Sequence, residues 1–285
     1  MNLPHLAQRL FNTPLALHPQ KAEVVMAALS DRFGITQISR AGAWDFDEDE
    51  DFSRVAREDH GYDNLEGIAV IPVHGTLVQK LGSLRPYSGM TGYDGIRHAF
   101  LSALTDPDIK AICLDVESPG GEVAGCFDLV DEIYQARGIK PVHAILTECA
   151  YSAAYAIASA ADRIVVPRTG GVGSIGVIVM HVDWSQQLQK DGLKVTIITY
   201  GDRKAETNPY VPLSDGARES LQAEVDAMGK LFVDTVARNR GITDDVIRKT
   251  QAACFMAPEG VRLGLADAVA APDAAFNELM KLVGV

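Results

Sequence analysis

The stretch that decides the fold is AICLDVESPGGEVAGCFDLVDEIYQA, residues 111–136. It begins with the apolar run Ile112–Val116, passes through two glycines, and ends in an amphipathic segment over Val123–Ala136. Apolar residues at successive positions are typical of a strand that is covered on both faces. A strand followed by such a helix is the repeating unit of an α/β protein with a largely parallel sheet.

The same alternation continues on both sides of this unit. We predict further strands at Ile68–Val73, Val142–Leu146, Ile164–Val166, Val177–Met180 and Val195–Thr199. We predict further helices at Tyr93–Leu104, Ala153–Ala161 and about Asp215–Asn239, the last of them ended by Gly241, and another at Pro19–Phe33. The fold class is therefore α/β.

Acidic residues are concentrated in one part of the chain. The 285 residues carry a formal net charge of −12, from 26 Lys and Arg against 38 Asp and Glu. Between Asp45 and Asp63, nine acidic and two basic residues contribute −7 of that charge. This stretch has no periodicity, which is typical of a solvated linker. We predict a helical arm over residues 1–44, an acidic linker over 45–66 and a main domain over 67–285.

Composition excludes several classes of protein. The negative charge argues against binding of nucleic acid through a general basic surface. The cysteines lack CxxC spacing, so we expect no metal site or redox motif, and Cys113 and Cys149 are predicted to be small core residues. No run approaches 18 apolar residues, and the first residues lack the unbroken apolar core of a signal peptide. We therefore expect a protein of the reducing cytoplasm that makes no contact with a membrane.

Residues 170–176, GGVGSIG, contain the pattern GxGxxG of a dinucleotide-binding loop. Such a loop opens a helix whose N-terminus receives the pyrophosphate, whereas a strand-like run follows here. No glycine-rich loop continues into GK[ST], and no serine lies within GxSxG. We expect neither a nucleotide cofactor nor the usual α/β-hydrolase elbow.

Two segments carry candidate catalytic groups. The first is Ser118–Glu122, a predicted strand-to-helix turn whose glycines leave N–H groups uncovered, either as an oxyanion hole or as a plain turn. The second is Ala150–Tyr155, where Ser152 stands before an alanine-rich helix. That position suits a nucleophile, and it equally suits a simple helix N-cap. The residues alone leave both alternatives open.

A set of motifs in a specific order resembles the signal peptide peptidase A family, and more closely its phage branch of capsid-assembly (prohead) proteases. The motifs are Asn2–His5, Pro86–Tyr93, Ser118–Gly121, Tyr151–Ala154, Thr169–Val177 and Lys204. The resemblance covers nearly the whole chain. It implies a Clp-protease/crotonase-like spiral of ββα units. It also implies a serine endopeptidase that processes scaffold, portal or capsid proteins within the prohead, in the cytoplasm of the bacterial host.

The resemblance also implies roles for individual residues. Ser152 is the implied nucleophile, Lys204 its general base, and Ser174 the residue that orients the lysine. The implied oxyanion donors are Gly120, Gly121 and the N–H of Ala153. The family pattern further implies a homo-oligomeric ring in which serine and lysine can come from neighbouring subunits, a preference for small side chains beside the scissile bond, and no cofactor.

Lys204 needs particular surroundings to act as a base. A lysine takes the serine proton only when it is neutral, and burial lowers its pKa. We therefore expect Tyr200 and Pro209 to shield Lys204 from water. A nearby carboxylate would raise the lysine pKa, so we expect Asp202 and Glu206 to point away.

Four alternatives remain at this stage. His181 and Asp183 would complete a Ser-His-Asp arrangement. A signal-peptide-type peptidase of a bacterial host would share the dyad. An acyl-CoA hydratase or isomerase on the same fold would combine the glycine turn with Glu122 or Glu148. A non-catalytic assembly protein would keep the fold for oligomerisation alone.

Overall fold

The computed structural model describes residues 13–17 and 59–285, which form a mixed α/β architecture as the sequence predicts. The strands are β1 (Leu15–Leu17), β2 (Asp63–Leu65), β3 (Ile68–Val78), β4 (Met90–Gly92), β5 (Ala111–Glu122), β6 (Val142–Tyr151), β7 (Arg163–Val166), β8 (Gly171–Gly173), β9 (Cys254–Met256) and β10 (Ala268–Val269). The helices are α1 (Tyr93–Thr105), α2 (Cys126–Gln135), α3 (Ala153–Ser159), α4 (Ser185–Lys190), α5 (Asp215–Arg240), α6 (Asp244–Lys249), α7 (Ala257–Arg262) and α8 (Pro272–Val283).

One large, mostly parallel sheet organises these elements, in the order β10-β7-β6-β5-β3-β2. Only β2, at the edge of this row, runs antiparallel to its neighbour. Away from the row, β1 pairs antiparallel with β5, β4 pairs parallel with β3, and β8 joins β6 to β9. Parallel strands bring their carboxyl ends to one edge, and Ser118 of β5 therefore lies opposite Ala150 of β6. This edge carries the predicted site.

The central strands are covered on both faces. In β5, Ile112 and Leu114 belong to the core shared with α1, α2 and α3, whereas Ala111 and Cys113 pack with Leu279 of α8. All five are buried, and a fully buried leucine such as Leu114 stabilises the fold by about 2 kcal/mol. Burial on both faces explains the unbroken apolar run of this strand.

The predicted helices form, with some ends shifted. Helix α2 begins at Cys126 instead of Val123, because Gly125 adopts a left-handed conformation with φ 81° immediately before it. The long helix α5 is capped by the side chain of Ser214 and ends at Gly241, whose φ is 64°. The helix predicted at Pro19–Phe33 lies outside the described residues. Strand β2 lies within the predicted acidic linker, whose boundaries stay a prediction.

Two predicted strands are wrong. Val177–Met180 contains only an isolated bridge between Ile178 and Leu15. Val195–Thr199 has no strand conformation, and the side chain of Ile198 is 92% exposed. An apolar run becomes a strand only where a neighbour accepts and donates its backbone hydrogen bonds. Among the residues described, Val195–Thr199 has no such neighbour.

Candidate active site

Ser152 occupies a strained turn between β6 and α3. Its φ of 56° and ψ of −123° are rare for a residue with a side chain and cost on the order of 1–3 kcal/mol. The turn is held because the Ser152 N–H donates to the Gly173 carbonyl at 2.9 Å and the Ser152 carbonyl accepts from Ala156 at 2.9 Å. The hydroxyl caps no helical N–H, so the N-cap alternative is wrong. Instead it donates to the Gly176 carbonyl at 3.5 Å.

Gly120 and Gly121 lie beside Ser152, but the local structure differs from the predicted turn. Strand β5 continues through both glycines to Glu122, so they do not form a turn at a helix N-terminus. A Cβ on Gly121 would collide with the Leu77 carbonyl oxygen of β3. At Gly120, where φ is 100°, a Cβ would lie 2.9 Å from Ser152 Cβ. Glycine is therefore required because backbones approach closely on both sides of the strand.

The N–H of Gly120 is already engaged. It donates to the hydroxyl of Ser118 at 3.1 Å, and that hydroxyl donates to the Gly75 carbonyl at 2.7 Å. On the other side of Ser152, the N–H of Ala153 is the first of α3 and so lies outside the helical hydrogen-bond pattern. Backbone donors thus border Ser152 from two elements.

Ser174 lies one residue after Gly173, which accepts the Ser152 N–H. It is buried, with φ 55°, and its N–H donates to the Ala253 carbonyl at 2.9 Å. The Cys254 thiol is its side-chain neighbour. Desolvation raises the pKa of that thiol, and the hydrogen bond with Ser174 partly offsets this effect. The structure therefore brings Ser152 and Ser174 together and adds Cys254, which has no sequence motif.

Lys204 lies at the surface, whereas Ser152 is buried. The lysine is exposed, in a turn where its N–H donates to the Gly201 carbonyl at 3.2 Å. Within the described ranges, no hydrogen bond or ion pair joins its amine to Ser152 or Ser174. Among the residues described, the two predicted members of the dyad are therefore not joined by a hydrogen bond within one chain.

Lys204 belongs to an exposed apolar region, residues 193–211, which we call the lysine segment. The segment bounds a groove of about 560 Å³ that Lys204 itself lines. Its exposed apolar side chains are Leu193, Val195, Ile197, Ile198, Tyr200, Tyr210 and Val211. A contiguous exposed apolar set of this kind is typical of a surface that contacts another molecule.

The expected shielding of Lys204 by Tyr200 is not found within one chain. Tyr200 is fully exposed, so it excludes no water from the amine. Glu206 accepts a hydrogen bond from Arg203 Nε at 2.8 Å, which directs this carboxylate toward Arg203.

The Ser-His-Asp alternative is met only in part: Asp183 lies close enough to His181 for their charges to interact. Oδ1 of Asp183 accepts the Ser185 N–H at 2.8 Å, at the start of α4. Its hydrogen bonds with Ser185 lower the pKa of Asp183. The carboxylate that would orient His181 is thus used to hold the helix end. The hydroxyl of Ser152 donates to Gly176 and not to His181.

The acidic residues expected of an acyl-CoA enzyme also have local structural roles. Oε2 of Glu122 accepts the Gln79 N–H at 2.7 Å, which ties β5 to the end of β3. Oε2 of Glu148 accepts the Thr169 hydroxyl at 3.3 Å at the surface. These bonds give each carboxylate a structural function.

A segment distant in sequence also reaches the site. Leu15–Leu17 pairs with Gly120–Glu122 in an antiparallel register, and the Ala16 carbonyl oxygen occupies the space where a Gly120 side chain would lie. Sequence reasoning missed this contact, because three residues are too few to show a strand period. Within the described residues, no helix is long and apolar enough to cross a membrane.

The chain belongs to peptidase family S49, whose model matches residues 135–285. The matched region contains Ser152, Ser174 and Lys204, and it confirms the resemblance carried by the motifs. The glycine pair of β5 lies before the matched region.

Two phage proteins are similar to almost the whole chain. Capsid assembly protease C of Escherichia phage lambda is 41% identical over 278 residues, which cover 93% of this chain and 63% of the lambda protein. Head-tail preconnector protein GP5 of Enterobacteria phage P21 is 39% identical over 274 residues, covering 93% of this chain and 55% of that protein. A putative protease, MJ0651 of Methanocaldococcus jannaschii, is 29% identical over 181 residues, covering 63% of this chain and 58% of its own. The chain thus spans less than two thirds of each relative.

Proposed function

We propose that this chain is a serine endopeptidase that processes capsid-associated proteins during the maturation of a phage head. The observation that carries the proposal is Ser152, whose hydroxyl caps no helix although the turn that holds it is strained. Strain of this kind persists where the surrounding structure enforces it, and it concentrates at active sites. The names of the two phage relatives support the setting, and membership of family S49 supports the chemistry.

The proposed reaction uses the groups around Ser152. Neutral Lys204 accepts the proton of the Ser152 hydroxyl, whose oxygen attacks the substrate carbonyl carbon. The carbonyl oxygen gains negative charge, which the N–H groups of Gly120, Gly121 and Ala153 stabilise, each by roughly 3 kcal/mol. The Gly120 N–H can donate to the substrate oxygen only after its hydrogen bond to the Ser118 hydroxyl breaks. The peptide C–N bond then breaks as Lys204 returns the proton to the leaving amine, which leaves an ester on Ser152. A water molecule hydrolyses this ester and restores the serine.

We further propose that Lys204 acts on Ser152 of a neighbouring copy within a homo-oligomeric ring. Its exposure, and the apolar side chains of the lysine segment around it, support this arrangement. Contact with a neighbour would bury the amine and lower its pKa, which favours the neutral form. Ser174, close to Ser152, would then accept the incoming amine and orient it. Such a site requires no cofactor.

The finer fold and the biological setting belong to the same proposal. The parallel sheet with helices on both faces supports a crotonase-like spiral of ββα units preceded by an N-terminal helical arm. The substrates would be scaffold, portal or capsid proteins, with small side chains beside the scissile bond. Cleavage would take place in the prohead, within the host cytoplasm.

The test compares alanine variants of Ser152 and Lys204 with an alanine variant of a lysine outside the site. Ser152→Ala abolishes labelling by a fluorophosphonate, and Lys204→Ala slows peptide cleavage by about 10³-fold, within the usual range for a general base. Lys281→Ala, in the last turn of α8, keeps the wild-type rate and controls for loss of a positive charge. A Lys204→Ala enzyme with the wild-type rate would contradict the dyad. An inactive His181→Ala enzyme beside it would establish the histidine alternative.

A further inference from the structure

Strand β1 is inserted between two parts of the site. On one side, Leu15–Leu17 pairs antiparallel with Gly120–Glu122. On the other side, the Leu15 N–H donates to the Ile178 carbonyl at 2.9 Å, and the Ile178 N–H donates to the Leu15 carbonyl at 2.9 Å. This short extended segment is therefore held by backbone hydrogen bonds on both edges. Peptide ligands that add a strand to a sheet are held by the same kind of hydrogen bond.

The register places one carbonyl group of this segment at the nucleophile. Alternate residues of a strand direct their hydrogen-bonding groups to opposite sides, so Leu15 bonds Ile178 and Ala16 faces Gly121. A Cβ built on Gly120 would collide with the Ala16 carbonyl oxygen and lie 2.9 Å from Ser152 Cβ. The Ala16 carbonyl and the side chain of Ser152 therefore border the same small space.

The segment also closes that space to solvent. Leu15, Ala16 and Leu17 are 4%, 0% and 5% exposed, and Ser152 is 1% exposed. A peptide substrate that pairs with Gly120–Glu122 would need this strand edge open, and β1 already fills it. A substrate and β1 thus compete for the same backbone hydrogen bonds.

We propose that residues 15–17 act as an autoinhibitory pseudosubstrate, which occupies the peptide groove in cis and must leave before a substrate binds. The inference rests on the proposed peptidase function. Because the segment belongs to the same chain, it competes as an intramolecular ligand, whose effective concentration does not fall on dilution. The apparent affinity for substrate is then reduced in proportion to the fraction of molecules whose groove is open.

A reversible crosslink tests the proposal. Leu15 and Ile178 form a hydrogen-bonded antiparallel pair, whose Cα atoms are typically about 5.5 Å apart, within the range that a disulfide spans. The variant is Leu15→Cys with Ile178→Cys, its crosslink verified by intact mass and thiol titration. We expect the oxidised form to cleave a short peptide at least about tenfold more slowly than the same protein after reduction.

Several outcomes are distinguishable. Wild-type protein taken through the same oxidation and reduction controls for its native cysteines, and thermal melts of both variant forms show that the fold is kept. Equal rates of cleavage by the crosslinked and the reduced protein would overturn the proposal. They would show that β1 is a permanent strand of the sheet. Absence of both cleavage and fluorophosphonate labelling of Ser152, in wild-type protein and in an Ala16→Asp variant whose β1 is weakened, would instead overturn the proposed peptidase, and the inference with it.

A second variant weakens the segment without a crosslink. Ala16→Asp places a carboxylate at a fully buried position of β1. Because burying a charge is costly, the variant disfavours the pairing of β1 with β5. We expect a higher initial rate of peptide cleavage than in wild type, by roughly severalfold. A structural role for β1 predicts the opposite, a lower rate together with a lower melting temperature.

Discussion

The serine region and the lysine segment differ in how completely one chain builds them. Around Ser152, the backbones of β5, β6 and β8 fix the turn through hydrogen bonds. Strand β3 leaves no room for a side chain at Gly121, and β1 leaves none at Gly120. Around Lys204, apolar side chains face solvent, and residues 193–199 have no strand partner among those described. One chain thus holds the turn of Ser152 by its own backbone contacts, whereas the side chains around Lys204 are left exposed to solvent.

The largest effect on activity is expected from a charge placed in the lysine segment. Ile198→Asp places a charge on a side chain that is 92% exposed in the single chain and buried in the proposed ring. We expect loss of assembly by analytical ultracentrifugation and a fall in peptide cleavage of about 10³-fold, as for Lys204→Ala. Urea unfolding of the monomer should change by less than about 0.5 kcal/mol, because the residue contacts little within the chain.

The matched control for this change is Ile139→Asp, at an isoleucine 63% exposed before β6. Assembly and rate should both stay at wild-type values. If Ile198→Asp also assembles and cleaves normally, the lysine segment is not the interface that completes the site.

A smaller effect is expected in the serine region, on stability. Gly121→Ala forces a methyl group against the Leu77 carbonyl, where neither backbone can move without breaking the pairing of β3 with β5. We expect the free energy of unfolding to fall by about 3 kcal/mol in urea titrations. Gly229→Ala, inside α5 with open space around it, is the control and should raise stability by up to about 1 kcal/mol. Equal free energies of unfolding for the two variants would contradict the close approach of β3 to Gly121.

What the sequence predicted well depends on local signals. The strand Ile112–Val116 and helix α5 carry apolar patterns and end signals that their own residues determine, such as Ser214 and Gly241. The motifs identify Ser152 and Ser174, and the structure places the two serines on adjoining turns. Here the pattern and the tertiary structure agree.

What the sequence could not predict depends on partners distant in the chain. The glycines of β5 indicate a turn when taken alone, and only the neighbouring strands β3 and β1 show why glycine is needed in an extended strand. The run Val195–Thr199 has strand composition, but no described strand pairs with it. Cys254 and Leu15 reach the site through pairings of β9 and β1 that no local period reveals.

The central claim is that the dyad is completed between copies, and mixing two inactive variants tests it most directly. Ser152→Ala keeps the lysine, Lys204→Ala keeps the serine, and a random one-to-one mixture pairs an intact serine with an intact lysine at one interface in four. After dissociation and reassembly of the mixture, the account predicts peptide cleavage at roughly a quarter of the wild-type rate. A mixture that stays as inactive as its two components would contradict it.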